Sequence, residues 1–177
     1  IFPLAGVVLL PRAMLPLHIF ERRYGAMTRD ALDGARLVAI ALLRPGFEPL
    51  YDTLDADIHA VVCVGRIVHV EELSDDRYNF WLQGLQRARI VEENKELPYR
   101  RALLQLLSET PPDAKTEGDL RRRLGEILSR PPLQGLVEEL HWLDLLACTA
   151  IGLPDLVDAL GSAVLCGARD KHAFLAQ

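Results

Sequence analysis

Asp52, Asp55, Asp57 and His59 place oxygen and imidazole donors close together, the types that hold a divalent cation. The cluster lacks the glycine and the closing glutamate of an EF-hand loop. It reads as a solvated loop, with a weak ion site as the alternative. His59 and His69 fall on one face of an apolar, β-branched run. Ten residues of strand separate them by roughly 33 Å, so they share no ion unless the chain bends at Gly65. Glu71-Glu72 and Glu92-Glu93 read as solvated strand ends rather than general acid–base pairs. Arg121, Arg122, Arg123 and Arg130 form the dense basic run. On a helix they give a solvated face, or else a contact for an acidic partner or RNA. Phe47, Leu50 and Tyr51 lie in the proline-flanked stretch RPGFEPLYD. They are candidate binding contacts, the alternative being a loop packed on its own sheet.

Other catalytic arrangements are missing. No glycine precedes a lysine, so there is no nucleotide-binding P-loop. The chain has no G-x-S-x-G, C-x-x-C or H-E-x-x-H. Ser74, Ser108, Ser129 and Ser162 have no Lys or His beside them in sequence. The expectation is a protein without enzymatic activity, cofactor or metal. Cys63, Cys148 and Cys166 are odd in number, widely spaced and set in apolar stretches. They read as buried small hydrophobes in a reducing cytoplasm rather than a disulfide framework.

The elements that must carry these residues follow from periodicity. The 177 residues are 50% hydrophobic and 25% charged, which excludes disorder and fits one domain or two small lobes. No apolar run approaches the ~20 residues that span a bilayer, so no membrane role is expected. The net charge of −5 argues against nucleic acid as the main partner. Of 20 basic residues 17 are arginine, which a GC-rich genome explains as well as phosphate recognition does. The opening IFPLAGVVLLP has no basic leader and is bracketed by Pro3 and Pro11, so it reads as strand rather than signal peptide. The first residue is not Met, which suggests that the natural chain is longer.

Residues 1–110 read as mostly β, with runs at 7–10, 15–19, 37–43, 58–70, 79–91 and 100–107. Gly65 and Gly84 interrupt the two longest runs and mark bulges or bends. Trp81 alternates with Phe80, so one of them faces away from the interior. Trp81 and Trp142 otherwise read as core or half-core. Residues 74–77 make a hairpin loop. Phe20, Tyr24, Met27 and Ala31 give one helix an apolar stripe, ended by Gly34. After Pro111-Pro112 the pattern is helical. Thr116 and Asp119 resemble a capping box. Leu120, Leu124, Ile127 and Leu128 form one stripe; Leu133, Leu136, Val137, Leu140, Leu143 and Ala147 a second; Leu156, Leu160 and Val164 a third. The predicted class is α+β, with a β lobe over 1–110 and a helical lobe over 111–177.

Two blocks carry a resemblance. FPLAGVVLLPRAMLPLHIFERRYGAM contains Phe2-Pro3-Leu4, the run Val7 to Pro11 as a strand ending in proline, Leu15-Pro16-Leu17, Ile19-Phe20-Glu21, Arg23-Tyr24 and Met27. CVGRIVHVEELSDDRYNFWLQGLQRARI contains Gly65, Arg66-Ile67, Arg77-Tyr78-Asn79, Gly84-Leu85 and Arg87. In order and spacing these are similar to the Lon protease N-terminal, substrate-binding domain family, which also occurs as stand-alone bacterial proteins. The resemblance implies a small PUA-like β pseudo-barrel with one early helix, followed by a helical bundle. It implies a non-catalytic module that binds unfolded or exposed hydrophobic polypeptide, alone or with a protease or chaperone. It carries over no catalytic residues and says nothing of oligomeric state. RNA binding through the arginine helix is the alternative. The prolines at 3, 11 and 16 fit strand ends and edges, where an extended peptide can add a strand.

Overall fold

Pro11 lies in the irregular segment that divides the first apolar residues into two short strands. In the computed structural model, which describes residues 1–108, 110–131, 146–148 and 150–177, β1 is Phe2–Leu4 and β2 is Met14–Ile19. Helix α1 (Arg22–Asp33) follows, then β3 (Leu37–Leu42), a 3-10 turn (Glu48–Leu50), β4 (Val61–Glu72), β5 (Tyr78–Asn94) and β6 (Arg101–Leu106). Helices α2 (Ala114–Leu128), α3 (Leu153–Val164) and α4 (Ala168–Leu175) complete the described elements. The expected stripe at 133–143 and Trp142 lie outside the described residues.

The six strands form one mixed sheet in the order β1-β3-β4-β5-β2, with β6 also on β5. Only β1–β3 is parallel. β5 is long enough to pair with β2 through residues 78–83 and with β6 through 88–94. Gly65 and Gly84 sit opposite each other, and the β4–β5 register shifts between Val64 and Gly65, as the interrupted runs predict. A Cβ on Gly84 would lie 2.1 Å from the Leu10 carbonyl oxygen, and one on Gly65 would lie 2.6 Å from Leu82 and 2.9 Å from Leu9. The residues at 7–10, expected as a strand, are instead coil. They cross the bend as a plug, burying Leu9 and Leu10. The plug is tied down where Arg12 N donates to Gly84 O and Gly84 N donates to Ala13 O, at 2.9 and 2.8 Å.

The main core gathers Phe2, Leu9, Leu10, Ile19, Tyr24, Met27, Ile40, Ile67, Phe80 and Leu82. α1 supplies Tyr24 and Met27 as its stripe predicts, and buried Thr28 satisfies its hydroxyl on the Tyr24 carbonyl. Phe20 departs from expectation. The helix starts at Arg22, so Phe20 lies outside the stripe and is 66% exposed. Cys63 is buried, whereas Cys148 and Cys166 are exposed, contrary to the sequence reading. The cap of α2 also differs. Asp113, not Thr116, is the N-cap, accepting from the amides of Lys115 and Thr116, both at 3.0 Å.

The chain divides into two compact units, Ile1–Ser108 with Gly161–Gln177, and Glu109–Leu160. The last residues, Gly161–Gln177, are grouped with the strands. The second unit has its own small core of Leu128, Leu146, Leu156 and Leu160. In the first unit, buried Arg100 binds Glu93 through two hydrogen bonds of 2.7 and 3.0 Å and donates to the Ala56 carbonyl. Removing one partner of a buried pair strands the other charge. Glu93→Ala is expected to destabilise this unit by about 3 kcal/mol, read from the urea midpoint. A loss within the half-kilocalorie scatter of surface substitutions would contradict it.

α4 packs on β4 and β5. Phe174 and Leu175 join the main core, and Arg87 Nε donates to the Leu175 carbonyl at 3.1 Å. His172 donates from Nε2 to the Val61 carbonyl, and its ring lies 4.0 Å from that of His59. Burial holds both imidazoles below the usual histidine value, helped at His59 by His172 and at both by Arg44. Asp57 opposes this weakly at His59, and the Val61 carbonyl opposes it at His172. The unfolded chain therefore binds more protons once pH drops below about 6.5. Stability from this pair is complete above that value and is lost as pH falls toward the folded-state values. Tm is expected to fall between pH 7 and 5, and to fall less in His172→Gln. Equal slopes would contradict the assignment.

Candidate polypeptide-binding face

The outer face of β2, β5 and β4 is organised in rows by strand pairing. Pro16, Trp81 and His69 form one row across the three strands, and His18, Asn79 and Glu71 form the next. A groove of about 400 Å³ runs between them, lined by Pro16, His18, His69, Glu71, Asn79 and Trp81 among others. Period-two alternation buries Phe80 and leaves Trp81 44% exposed. This settles which of the adjacent pair turns outward. Beyond the polar row, Phe20 stacks on His18, ring centres 6.0 Å apart. A register shift between Ile67 and His69 puts Val68 on the surface as well.

One edge of this face is open. Among the described residues β2 pairs only with β5. Pro16 faces Trp81 and has no N–H, so that pair is one without ladder hydrogen bonds. By alternation Met14 and His18 are the same, and the backbone groups of all three point away from β5. The edge offers acceptors at all three residues and donors at two. An extended chain can bond there, while Pro16 limits the run that would invite aggregation.

The residues singled out from the sequence lie elsewhere. Leu50 is exposed, but Phe47 and Tyr51 pack against the sheet. The Tyr51 hydroxyl donates to Glu21, and Arg23 lies over the rings of Tyr24 and Tyr51 at 4.5 and 5.0 Å. Burial first, then Tyr24 and Glu21, push the Tyr51 phenol upward, so it stays protonated and holds this bond. On α2, the Arg121 side chain is only 10% exposed. It pairs with Glu117 and donates to the carbonyls of Leu146, Cys148 and Ile151. Arg122 is tied to Asp119 and Glu126, whereas Arg123 and Arg130 are exposed. Of the four arginines, Arg121 is thus withdrawn from the surface, while Arg122, Arg123 and Arg130 stay exposed. Asp52, Asp55 and Asp57 each meet a different cation, Arg23, Lys95 and Arg44. Among the described residues no three His, Cys, Asp or Glu converge as metal ligands. No described helix is long and apolar enough to cross a membrane.

Sequence comparison accounts for the arrangement. The family model for the ATP-dependent protease La (LON) substrate-binding domain matches residues 1–175. The chain belongs to the Lon substrate-binding domain family. A Lon protease of Dictyoglomus thermophilum is 29% identical over 125 residues, covering 70% of this chain and 15% of the relative. Lon protease 2 of Myxococcus xanthus is 28% identical over 161 residues, 83% and 19% respectively. This Lon-type chain thus spans less than a fifth of the length of these relatives. The N-terminal domain of a Mycobacterium avium complex Lon protease superposes with a TM-score of 0.68 at 15% identity, over 99% of this chain and 88% of that one, which shows the shared fold.

The motif residues of the Lon family in this chain are mostly scaffold. Ile19 enters the core, Glu21 and Arg23 clamp the 47–51 loop, and Gly65 and Gly84 let the plug cross the bend. The groove residues Pro16, His18, His69, Asn79 and Trp81 drew little notice in the sequence as contacts. The available signal was the alternation of Phe80 with Trp81, next to a proline-bearing edge strand.

Proposed function

We infer that this Lon-family domain is a non-catalytic module that binds exposed apolar segments of non-native polypeptide on the β2–β5–β4 face. The observation that carries this reading is Trp81, an exposed indole beside Pro16 on a strand whose outer edge is open. Large aromatic side chains at such positions dominate binding energies, and an open edge adds main-chain hydrogen bonds that any sequence can satisfy. Together they suit a ligand defined by apolar, extended backbone rather than by one sequence. Leu50 is a second, smaller contact in the proposal. The domain's role is that of an adaptor, presenting such segments to a protease or chaperone in the cytoplasm. The register shift at Gly65 and the close approach of Leu10 to Gly84 support reading the sheet as a PUA-like pseudo-barrel.

Fluorescence anisotropy with a reduced, carboxymethylated polypeptide and with a single-stranded RNA, each at two salt concentrations, tests the reading. Polypeptide binding that changes little with salt supports it. RNA binding that collapses as salt rises, without polypeptide binding, overturns it.

A further inference from the structure

The polar row of the groove has a fixed sense. The Glu71 carboxylate only accepts, so Asn79 turns its amide nitrogen there and Nδ2 donates to Oε2 at 2.9 Å. Asn79 Oδ1 then faces His18 Nδ1 at 2.7 Å, and the imidazole must be the donor in that bond. Glu71 keeps Oε1 as an acceptor, and among the described residues it has no ion-pair partner. The Glu71 end of the row therefore calls for a donor. Trp81 stands two residues farther along β5, and diagonal neighbours across paired strands lie roughly 7–8 Å apart. A cation between the indole face and the carboxylate would touch both. Arg66 shares this face but lies opposite Gln83, on the far side of Trp81. Four residues of strand put that row roughly 13 Å from Asn79, too far to neutralise Glu71.

We propose that this groove selects extended polypeptide segments in which a lysine or arginine follows two residues after, or precedes by two, an apolar side chain. The apolar side chain packs on Pro16 and Trp81, and the basic one reaches the His18–Asn79–Glu71 row. The spacing matches because an extended ligand presents alternate residues to one face. The proposal rests on the polypeptide-binding reading above and adds the class of segment chosen.

Three labelled twelve-residue peptides test it, sharing their apolar residues and carrying Arg, Gln or Glu at the position two residues on. At 50 mM salt the Arg peptide is expected to bind about fivefold tighter than the Gln peptide, with the Glu peptide weakest. Glu71→Gln, checked for folding by circular dichroism, is expected to bring the Arg and Gln peptides within twofold of each other. Binding of all three within twofold by the unaltered protein overturns the selectivity and leaves the polypeptide reading standing. So does an undiminished preference in Glu71→Gln. Binding of none of the three overturns both.

Discussion

Gly84→Ala is expected to leave the strand-rich unit largely unfolded at 37 °C, with a loss of about 4 kcal/mol or more. The added Cβ would sit 2.1 Å from the Leu10 carbonyl oxygen, 2.9 Å from its carbon and 3.2 Å from Pro11 Cα. All three are backbone atoms of the plug, so no side-chain rotation relieves the overlap. The plug would have to lift by more than 1 Å. That breaks the hydrogen bonds of Gly84 with Arg12 and Ala13 and withdraws Leu9 and Leu10 from the core. Gly118→Ala is the control, because among the described residues nothing lies within 4 Å of its Cβ position in the interior of α2. There alanine should stabilise the helix by about 0.5–1 kcal/mol. Denaturant titration of both variants decides the matter. A Gly84→Ala protein as stable as the parent would mean that the plug does not cross the bend as described.

Trp81→Ala is expected to weaken binding of an unfolded polypeptide about 30-fold while moving Tm by no more than a few degrees. The indole is nearly half exposed, so its removal opens no core cavity. At a binding surface the same ring is the largest apolar anchor, and truncating such an anchor typically costs 2 kcal/mol or more. The two effects separate because Phe80, not Trp81, carries the packing at this point of β5. Leu50→Ala serves as comparison and is expected to change affinity less than threefold. An unchanged affinity for Trp81→Ala would place the contact elsewhere.

The strands were legible because their apolar runs are long and their breaks are glycine and proline. Gly65 and Gly84 announced the bend, and the Lon-like motifs announced the fold. The coil at 7–10 was not legible, since a plug and a buried strand are both short apolar runs; only its crossing over Gly84 distinguishes them. Asp113 displaced Thr116 as cap because the helix begins at Ala114, placing the Asp113 carboxylate against the amides of Lys115 and Thr116. The groove was hidden for a different reason. It is assembled from strands that meet through sheet pairing, with residues 61 positions apart in contact at His18 and Asn79. Arg121 looked like surface charge in the sequence, yet its guanidinium is occupied by the backbone carbonyls of Leu146, Cys148 and Ile151.

Photo-cross-linking tests the central claim most directly. A reduced, unfolded polypeptide bearing a photoreactive group is bound to the protein and irradiated, and the attachment sites are mapped by mass spectrometry. Cross-links concentrated on residues 14–20, 66–71 and 79–83, and competed away by an unlabelled extended apolar peptide, are the predicted result. Cross-links concentrated on residues 121–130 or confined to the 47–51 loop would contradict the assignment of this face.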